Sequence, residues 1–178
     1  MDILIIFVTP VALVLFGFVI IRFRRLDWRG DVGFQLPSAP QAVIWLLAFL
    51  ALAVASEMAG GALGVESNAG SWHGKYDALN LAIRIAAIGL IYPLAEEFFF
   101  RGALLGMASR KLGAAGGVLI SALAFAAVHL QYDWRSMALI FVDALFYAIC
   151  RTRTGSIYLV MAMHMLGNGY AIWERLSP

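Results

Sequence analysis

The sequence predicts an all-α membrane protein, a polytopic bundle of about six transmembrane helices around a buried polar site. Of its 178 residues, 62% are apolar and only 13% are charged, and the mean hydropathy is +0.84. Soluble domains usually carry about 25% charged residues, so this composition excludes an ordinary soluble globule. It also excludes a disordered chain, which would be polar or highly charged. Because each helical crossing takes about 20 residues, any chemistry is expected from residues on the spans themselves.

Six apolar runs are the expected spans, taken in chain order. The first, Ile3 to Ile21, is followed by arginines rather than preceded by them, so we interpret it as a retained span and not as a signal peptide. The others occupy residues 42–63, 79–109, 113–130, 136–150 and 155–173. The connections are too short for a further domain and no internal repeat is visible, so residues 1–178 are predicted to form a single integral membrane domain.

The loop charges predict an orientation. The loops that follow odd-numbered spans carry most of the basic residues, namely Arg22, Arg24, Arg25, Arg29, Arg110, Lys111, Arg151 and Arg153. Basic loops favour the cytoplasmic face, so both termini are predicted outside. The net charge of +2 is too small and too scattered to indicate a nucleic-acid partner, and the lone Cys150 cannot form an internal disulfide.

Charged residues inside the third span are the first sign of a function. Glu96, Glu97 and Arg101 lie within six residues, and each ionisable group near the bilayer centre costs about 2.5 to 3.5 kcal/mol on insertion scales. Helical spacing puts Glu97 and Arg101 one turn apart, so they are expected to pair. Glu96 is offset by about 100° and points elsewhere, which makes it the candidate for proton transfer. Pro93 is expected to kink the helix just upstream.

Two further spans carry polar side chains at a similar depth. The fourth contains Phe125 and His129, and the sixth contains His164 and Asn168, each pair at four-residue spacing. At 1.5 Å per residue, Glu96, the two histidines and Asn168 lie roughly 14 to 24 Å from the predicted cytoplasmic ends of their spans. The sequence therefore predicts that a carboxylate, two imidazoles and a carboxamide meet inside the membrane.

These residues resemble the three motifs of the CPBP intramembrane proteases, in the same order: Glu96-Glu97-xxx-Arg101, Phe125-xxx-His129 and His164-xxx-Asn168. That family includes type II CAAX prenyl endopeptidases and the abortive-infection and bacteriocin-immunity proteins. The resemblance extends from about Leu90 to Trp173 and implies that residues 79–178 form the catalytic core, preceded by N-terminal spans and loops in 1–78. It also implies that Glu96 is catalytic.

Peptide hydrolysis needs an activated water, donors for the developing oxyanion and a proton for the leaving amine. Our hypothesis is that Glu96, oriented with His129, activates the water, while His164 and Asn168 donate to the oxyanion. The expected supporting residues are Glu97, Arg101 and Phe125. This mechanism requires no cofactor. In an alternative zinc mechanism, Glu96, His129 and His164 would be the ligands.

The expected substrate is a membrane-embedded peptide or a lipid-modified protein, which would be cleaved within the lipid bilayer. Prenylated CAAX proteins belong to eukaryotes, whereas the compact chain favours a prokaryotic cytoplasmic membrane, so the substrate stays open. Two other functions are considered. One is a non-catalytic scaffold or immunity protein that binds a partner peptide in the bundle. The other is a proton-coupled transporter, for which an inverted repeat would be expected and none is visible.

Overall fold

The structure is a computed structural model that describes residues 3–65 and 70–177. All regular secondary structure in these two ranges is helical, which confirms the predicted all-α class. A short 3₁₀ helix, Ile3–Phe7, precedes the first α-helix. The α-helices are α1 (Val8–Arg24), α2 (Ala39–Leu63), α3 (Ala78–Ala86), α4 (Tyr92–Glu97), α5 (Leu105–Ala127), α6 (Trp134–Thr154) and α7 (Ile157–Leu176).

Helices α3, α4 and α5 form one helical stretch that contains two π-helical segments. These segments, Ala87–Ile91 and Phe98–Leu104, lie immediately before and after α4. The stretch is interrupted within α5 at Gly113, whose φ of 73° and ψ of 172° are not helical. Glycine reaches positive φ without a Cβ clash, so it permits a break there that other residues would resist. The predicted division between the third and fourth spans therefore falls at a real break in the backbone.

Three helical stretches of the described chain are long and apolar enough to cross a membrane. They are Ile5–Arg24, Ala39–Leu63 and the stretch Ala78–Ala127. Large apolar side chains on α1 and α2 are exposed, among them Phe16 and Leu47 at 62% and 61%. Such exposure suits a lipid environment, and the chain is an integral membrane protein. The predicted count of about six spans is not confirmed, because α6 and α7 are not among these three stretches.

Polar side chains fix the helix ends. Ser38 and Gln41 form a reciprocal capping box at the start of α2, and Asp77 accepts a hydrogen bond from the Asn80 amide at the start of α3. Asp133 caps α6, where hydrogen bonds from the Ser136 hydroxyl and then the Arg135 amide lower the pKa of its carboxyl group. Helices α6 and α7 are joined by only two residues, which enforces a sharp reversal between them.

The segment that carries the paired glutamates occupies the centre of the bundle. Helix α4 and the π-helical segments beside it contact α1 on one side and α7 on another, and α5 packs along α6. Phe98 lies in one apolar cluster with Ile21 of α1 and Ile157 of α7, whereas Phe100 lies in a second cluster with Phe125. Helix α2 packs at the edge, against α6 and α7. Residues 92–104 are therefore covered from several directions.

The loop between α1 and α2 is held against the bundle by two arginines. The buried Arg151 guanidinium donates to the carbonyl oxygens of Gly30, Asp31 and Val32, at 2.8 to 3.2 Å. Arg110 forms an ion pair with the Asp31 carboxylate. A Cβ on Gly106 would lie 2.6 Å from the Asp31 carbonyl oxygen, so the backbones touch there. Two of the predicted loop arginines thus serve to fix this connection.

Candidate active site

Glu97 and Arg101 form a fully buried ion pair one helical turn apart. The distance from Arg101 Nη1 to Glu97 Oε1 is 2.9 Å, and both side chains are 0% exposed. Arg101 Nη2 also donates to the Ala144 carbonyl oxygen of α6 at 3.2 Å, and its guanidinium carbon lies 4.3 Å from the centre of the Phe125 ring. The predicted pairing is confirmed. It gives each buried charge the partner that a low-dielectric interior demands.

His164 of α7 lies between the two neighbouring glutamates. Its Nδ1 is 2.8 Å from Glu97 Oε1, and its Nε2 is 3.7 Å from Glu96 Oε2. Glu97, ionised opposite Arg101, can only accept, so Nδ1 carries the proton and donates to it. The Tyr147 ring stacks on the imidazole, with centroids 5.6 Å apart and an interplanar angle of 25°. The two carboxylates thus lie at opposite nitrogens of one ring, and the ion pair with Arg101 is formed by Glu97, the glutamate that was expected to form it.

Glu96 and His129 line the same cavity of about 310 Å³. The other lining residues are Thr9, Leu13, Tyr92, Val128 and Gln131. The Glu96 side chain is 12% exposed, while Val128 and Gln131, in the turn that follows α5, are exposed. A cavity of this volume has room for water, which needs polar partners such as Glu96 and His129 on the walls. The cavity therefore connects a carboxylate and an imidazole through space that water can fill.

His129 lies outside the helix in which it was expected. Helix α5 ends at Ala127, so the predicted span through residue 130 was too long, and His129 occupies the turn that leads to α6. The chain must turn here because Asp133 caps the next helix five residues after Val128. The Nδ1 of His129 is 2.7 Å from the Phe125 carbonyl oxygen. That carbonyl can only accept, so Nδ1 donates and Nε2 keeps its lone pair free.

Asn168 binds a backbone carbonyl that the π-helical segment leaves unpaired. Its Nδ2 donates to the Ile88 carbonyl oxygen at 2.7 Å. In the π register the Tyr92 amide donates to the Ala87 carbonyl oxygen, five residues earlier. The next donor in this register, to the Ile88 carbonyl oxygen, would be the amide of residue 93, but Pro93 has no N–H. The predicted kink at Pro93 is thus a π-helical segment. One of the two Asn168 amide hydrogens is already engaged there.

Several contributors carried no recognisable signal in the sequence. Tyr147 stacks on His164, and Ser121 of α5 donates to the Phe100 carbonyl oxygen at 2.8 Å, within the second π-helical segment. Ser56 of α2 donates to Asp143 of α6 at 3.2 Å. Tyrosine and serine are common in membrane helices, so only their contacts across helices single them out.

The alternative zinc set is not assembled. In the chain as far as the structure describes it, no three His, Cys, Asp or Glu side chains group closely enough to hold a metal ion. Of the expected ligands, Glu96 and His164 approach to 3.7 Å, whereas His129 makes no ion-pair contact with Glu96 in the described residues. Zinc at about 2.0 to 2.2 Å from each ligand would require all three to converge. The donor set in this arrangement does not fit the metal.

The fold and the cluster together define a class of protein, a helical membrane protein whose buried carboxylates face imidazoles. A family model described as type II CAAX prenyl endopeptidase Rce1-like matches residues 78–170, just over half of the chain. The chain belongs to this family, which is a family of proteases, and the resemblance drawn from the three motifs is confirmed. No curated protein and no solved structure matches the chain.

Proposed function

We propose that this protein is an intramembrane endopeptidase that hydrolyses a peptide bond in a membrane-embedded or lipid-modified peptide. The observation that carries the proposal is the position of Glu96, which lies against His164 on one side and lines the cavity shared with His129 on the other. A carboxylate and an imidazole around a space for water are what general-base hydrolysis requires. Membership of a protease family supports the same reaction.

Glu96 is the proposed general base. A water in the cavity gives one proton to the Glu96 carboxylate, and its oxygen attacks the carbonyl carbon of the scissile bond. The free Nε2 lone pair of His129 accepts the second hydrogen of that water and so orients it. When the C–N bond breaks, the proton on Glu96 passes to the leaving nitrogen. Glu96 is then an ionised carboxylate again, and no cofactor takes part in the proposed reaction.

His164 and Asn168 are the proposed donors to the oxyanion. With Nδ1 bound to Glu97, the imidazole can donate to the oxyanion only from a protonated Nε2, the nitrogen that faces Glu96. Asn168 retains a second amide hydrogen beside the one given to Ile88. In this scheme Glu97, Arg101 and Phe125 are positioning residues that hold the imidazole and its helix in place.

We further propose six membrane crossings, with residues 79–178 as the catalytic core and both termini outside a prokaryotic cytoplasmic membrane. The break at Gly113 and the tight connection before α7 support separate crossings. Helix 114–127 is only about 21 Å long, less than the hydrocarbon thickness. The turn that carries His129 would then lie below the membrane surface, at a depth where the cavity opens to water.

The test is cleavage of membrane peptides by the full chain reconstituted in liposomes, with products identified by mass spectrometry. Glu96→Ala and His129→Ala are each expected to lower the rate by about 10²- to 10⁴-fold. Glu57→Ala is the matched control, because Glu57 lies on α2 and is exposed away from the cluster. Cleavage that survives the Glu96 substitution would contradict the proposal. Tight retention of uncleaved peptide by the unmodified protein would favour the scaffold function instead.

Exhaustive chelation separates the metal-free mechanism from the zinc alternative. The proposed mechanism predicts that the dialysed, chelator-treated protein keeps its full cleavage rate. Stoichiometric zinc in the protein, with activity that is lost when the zinc is removed and recovered when it is returned, would contradict the metal-free mechanism. The role of Glu96 as the base that activates water would then be wrong.

A further inference from the structure

A second cavity lies at the end of α1, far along the chain from the glutamates. It is lined by both arginine and apolar side chains. Its volume is about 270 Å³. The lining residues are Phe18, Ile21, Arg22, Arg25, Leu26 and Trp28. We propose that this Arg22–Arg25 groove binds the phosphate group of an anionic phospholipid. The proposal is independent of the peptidase function.

Within residues 3–65 and 70–177, the two guanidinium groups of the groove have no acidic partner. In the described part of the chain, neither Arg22 nor Arg25 makes a side-chain hydrogen bond or ion pair, although two aspartates are close in sequence. The Asp27 carboxylate accepts instead from the backbone amides of residues 29 and 30, at 3.0 and 2.6 Å. Asp31 is paired with Arg110. The local acids are therefore occupied, and the groove keeps a net positive charge suited to a phosphate.

The backbone brings both arginines to one concave surface. Arg25 adopts a left-handed conformation with φ 51° and ψ 47°, and it is the one non-glycine residue with positive φ in residues 3–65 and 70–177. The amides of Arg25 and Leu26 both bond to the Ile21 carbonyl, and Leu26 is buried. This turn folds the chain back over the end of the helix. Arg25 consequently lines the same groove as Arg22.

The position of the groove favours a lipid over a free anion. The stretch Ile5–Arg24 is long and apolar enough to span the membrane, so its last turn lies where lipid head groups are. Phe18 is 49% exposed, and its ring lies 5.8 Å from that of Trp28. These rings offer an apolar surface for the glycerol and upper acyl chain, while the guanidinium groups meet the phosphate. Inorganic phosphate would use only the charged half of the groove.

The test measures lipid binding to the purified full chain in detergent, by native mass spectrometry and thermal unfolding. Phosphatidylglycerol is compared with phosphatidylcholine of the same acyl chains and with inorganic phosphate. The groove variant is Arg22→Gln with Arg25→Gln. The matched control is Arg24→Gln with Arg29→Gln, which removes two charges from the same connection without touching the groove lining.

We expect phosphatidylglycerol to bind about tenfold more tightly than phosphatidylcholine and to raise the Tm, and the groove variant to lose at least about tenfold in affinity. The control variant should lose less than about threefold, and Arg22→Lys with Arg25→Lys should recover part of the affinity. Equal losses in the groove and control variants would reduce the effect to general surface charge and overturn the proposal. Equal binding of the two lipids, or inorganic phosphate binding as tightly as phosphatidylglycerol, would overturn it too.

Discussion

His164 and its two carboxylates show how this membrane protein accommodates several charges in one place. Arg101 neutralises Glu97, Glu97 fixes the tautomer of His164, and the remaining ring nitrogen faces Glu96. Each group is the partner of the next, so the cost of burying any one of them is reduced by its neighbour. Glu96 is the last member of this chain of contacts and also lines a cavity. The series of paired charges thus ends at Glu96, the carboxylate that lines the cavity.

The buried ion pair predicts a strong asymmetry between single and double substitutions. Arg101→Met removes the cationic partner of the buried Glu97 and leaves His164 Nδ1 as its donor, so the free energy of unfolding should fall by about 3 to 5 kcal/mol. Glu97→Gln combined with Arg101→Met removes both charges and should cost clearly less than the sum of the two single substitutions. Unfolding in mixed micelles, followed by circular dichroism, measures these differences.

The control for this comparison is Arg153→Gln, which removes an arginine at an exposed position of α6. Its unfolding free energy should change by no more than about 0.5 kcal/mol. Additive effects of the Glu97 and Arg101 substitutions would mean that the two side chains do not interact in the folded protein.

The i,i+4 spacing was sufficient to predict the Glu97–Arg101 pair, because both residues lie on one helix and the geometry is local. The contact of Glu97 with His164 joins residues 67 positions apart and depends on how α7 packs against α4. Sequence order alone could not say which glutamate faces which histidine. Glu96 was expected to be oriented with His129; the two residues line one cavity, and the imidazole within 3.7 Å of Glu96 is that of His164.

At the scale of single helices, the π-helical segment Ala87–Ile91 explains why Pro93 and Asn168 occur together. Pro93 removes an amide donor, the π register shifts the remaining bonds, and the Ile88 carbonyl is left for the Asn168 side chain. Segments of this type recur at functional sites because they widen a helix and redirect its side chains. Here two of them enclose the six residues of α4, on which both glutamates lie.

This arrangement predicts energetic coupling between Pro93 and Asn168. Asn168→Ala alone leaves the Ile88 carbonyl without its donor and should lower the free energy of unfolding by about 1 to 3 kcal/mol. In a Pro93→Ala background the restored amide can serve that carbonyl. The same Asn168 substitution should then cost at least about 0.5 kcal/mol less.

Asn80 provides the comparison, since its side chain donates to Asp77 at the start of α3 and not to the π-helical segment. Asn80→Ala should therefore have the same effect with Pro93 or with alanine at position 93. If Asn168→Ala were equally costly in both backgrounds, the proposed link between the missing proline amide and the Asn168 bond would be wrong.

The helices themselves could be predicted largely from apolar runs, whereas their internal distortions could not. The predicted third span, 79–109, and the start of the fourth at Gly113 agree with a helix that breaks at that glycine. The π-helical segments have no pattern of their own, because the same apolar residues suit an α-helix. The end of α5 at Ala127 was also missed, since Val128 to Leu130 are as apolar as the helix before them apart from His129.

For the molecule as a whole, the arginines that follow odd-numbered spans fall into two structural groups. Arg110 and Arg151 bind the loop between α1 and α2, while Arg22 and Arg25 line the Arg22–Arg25 groove at the end of α1. Several basic residues are thus gathered near one end of the bundle. This clustering is the physical basis for the predicted orientation, because basic segments are retained on the cytoplasmic face.

The predicted topology places both termini outside the cytoplasm. A C-terminal alkaline phosphatase fusion should therefore be active, and a C-terminal green fluorescent protein fusion should be dark. An N-terminal tag should be accessible to protease in intact cells stripped of their outer layers. The opposite pattern at both ends would reverse the assignment of faces, and different sides for the two ends would rule out an even number of crossings.

The proposed function depends most on water reaching Glu96 inside the bundle, and thiol labelling measures that access directly. In a Cys150→Ala background, Glu96→Cys should react with a charged, water-soluble methanethiosulfonate, since thiols react as the thiolate, which forms in water. Leu94→Cys, at a 43% exposed position of the same helix that we expect to face lipid, should stay unlabelled. Labelling at position 96 but not at 94 is the result we predict. Failure to label position 96 in the folded protein, or equal labelling at both positions, would contradict a water-filled catalytic cavity.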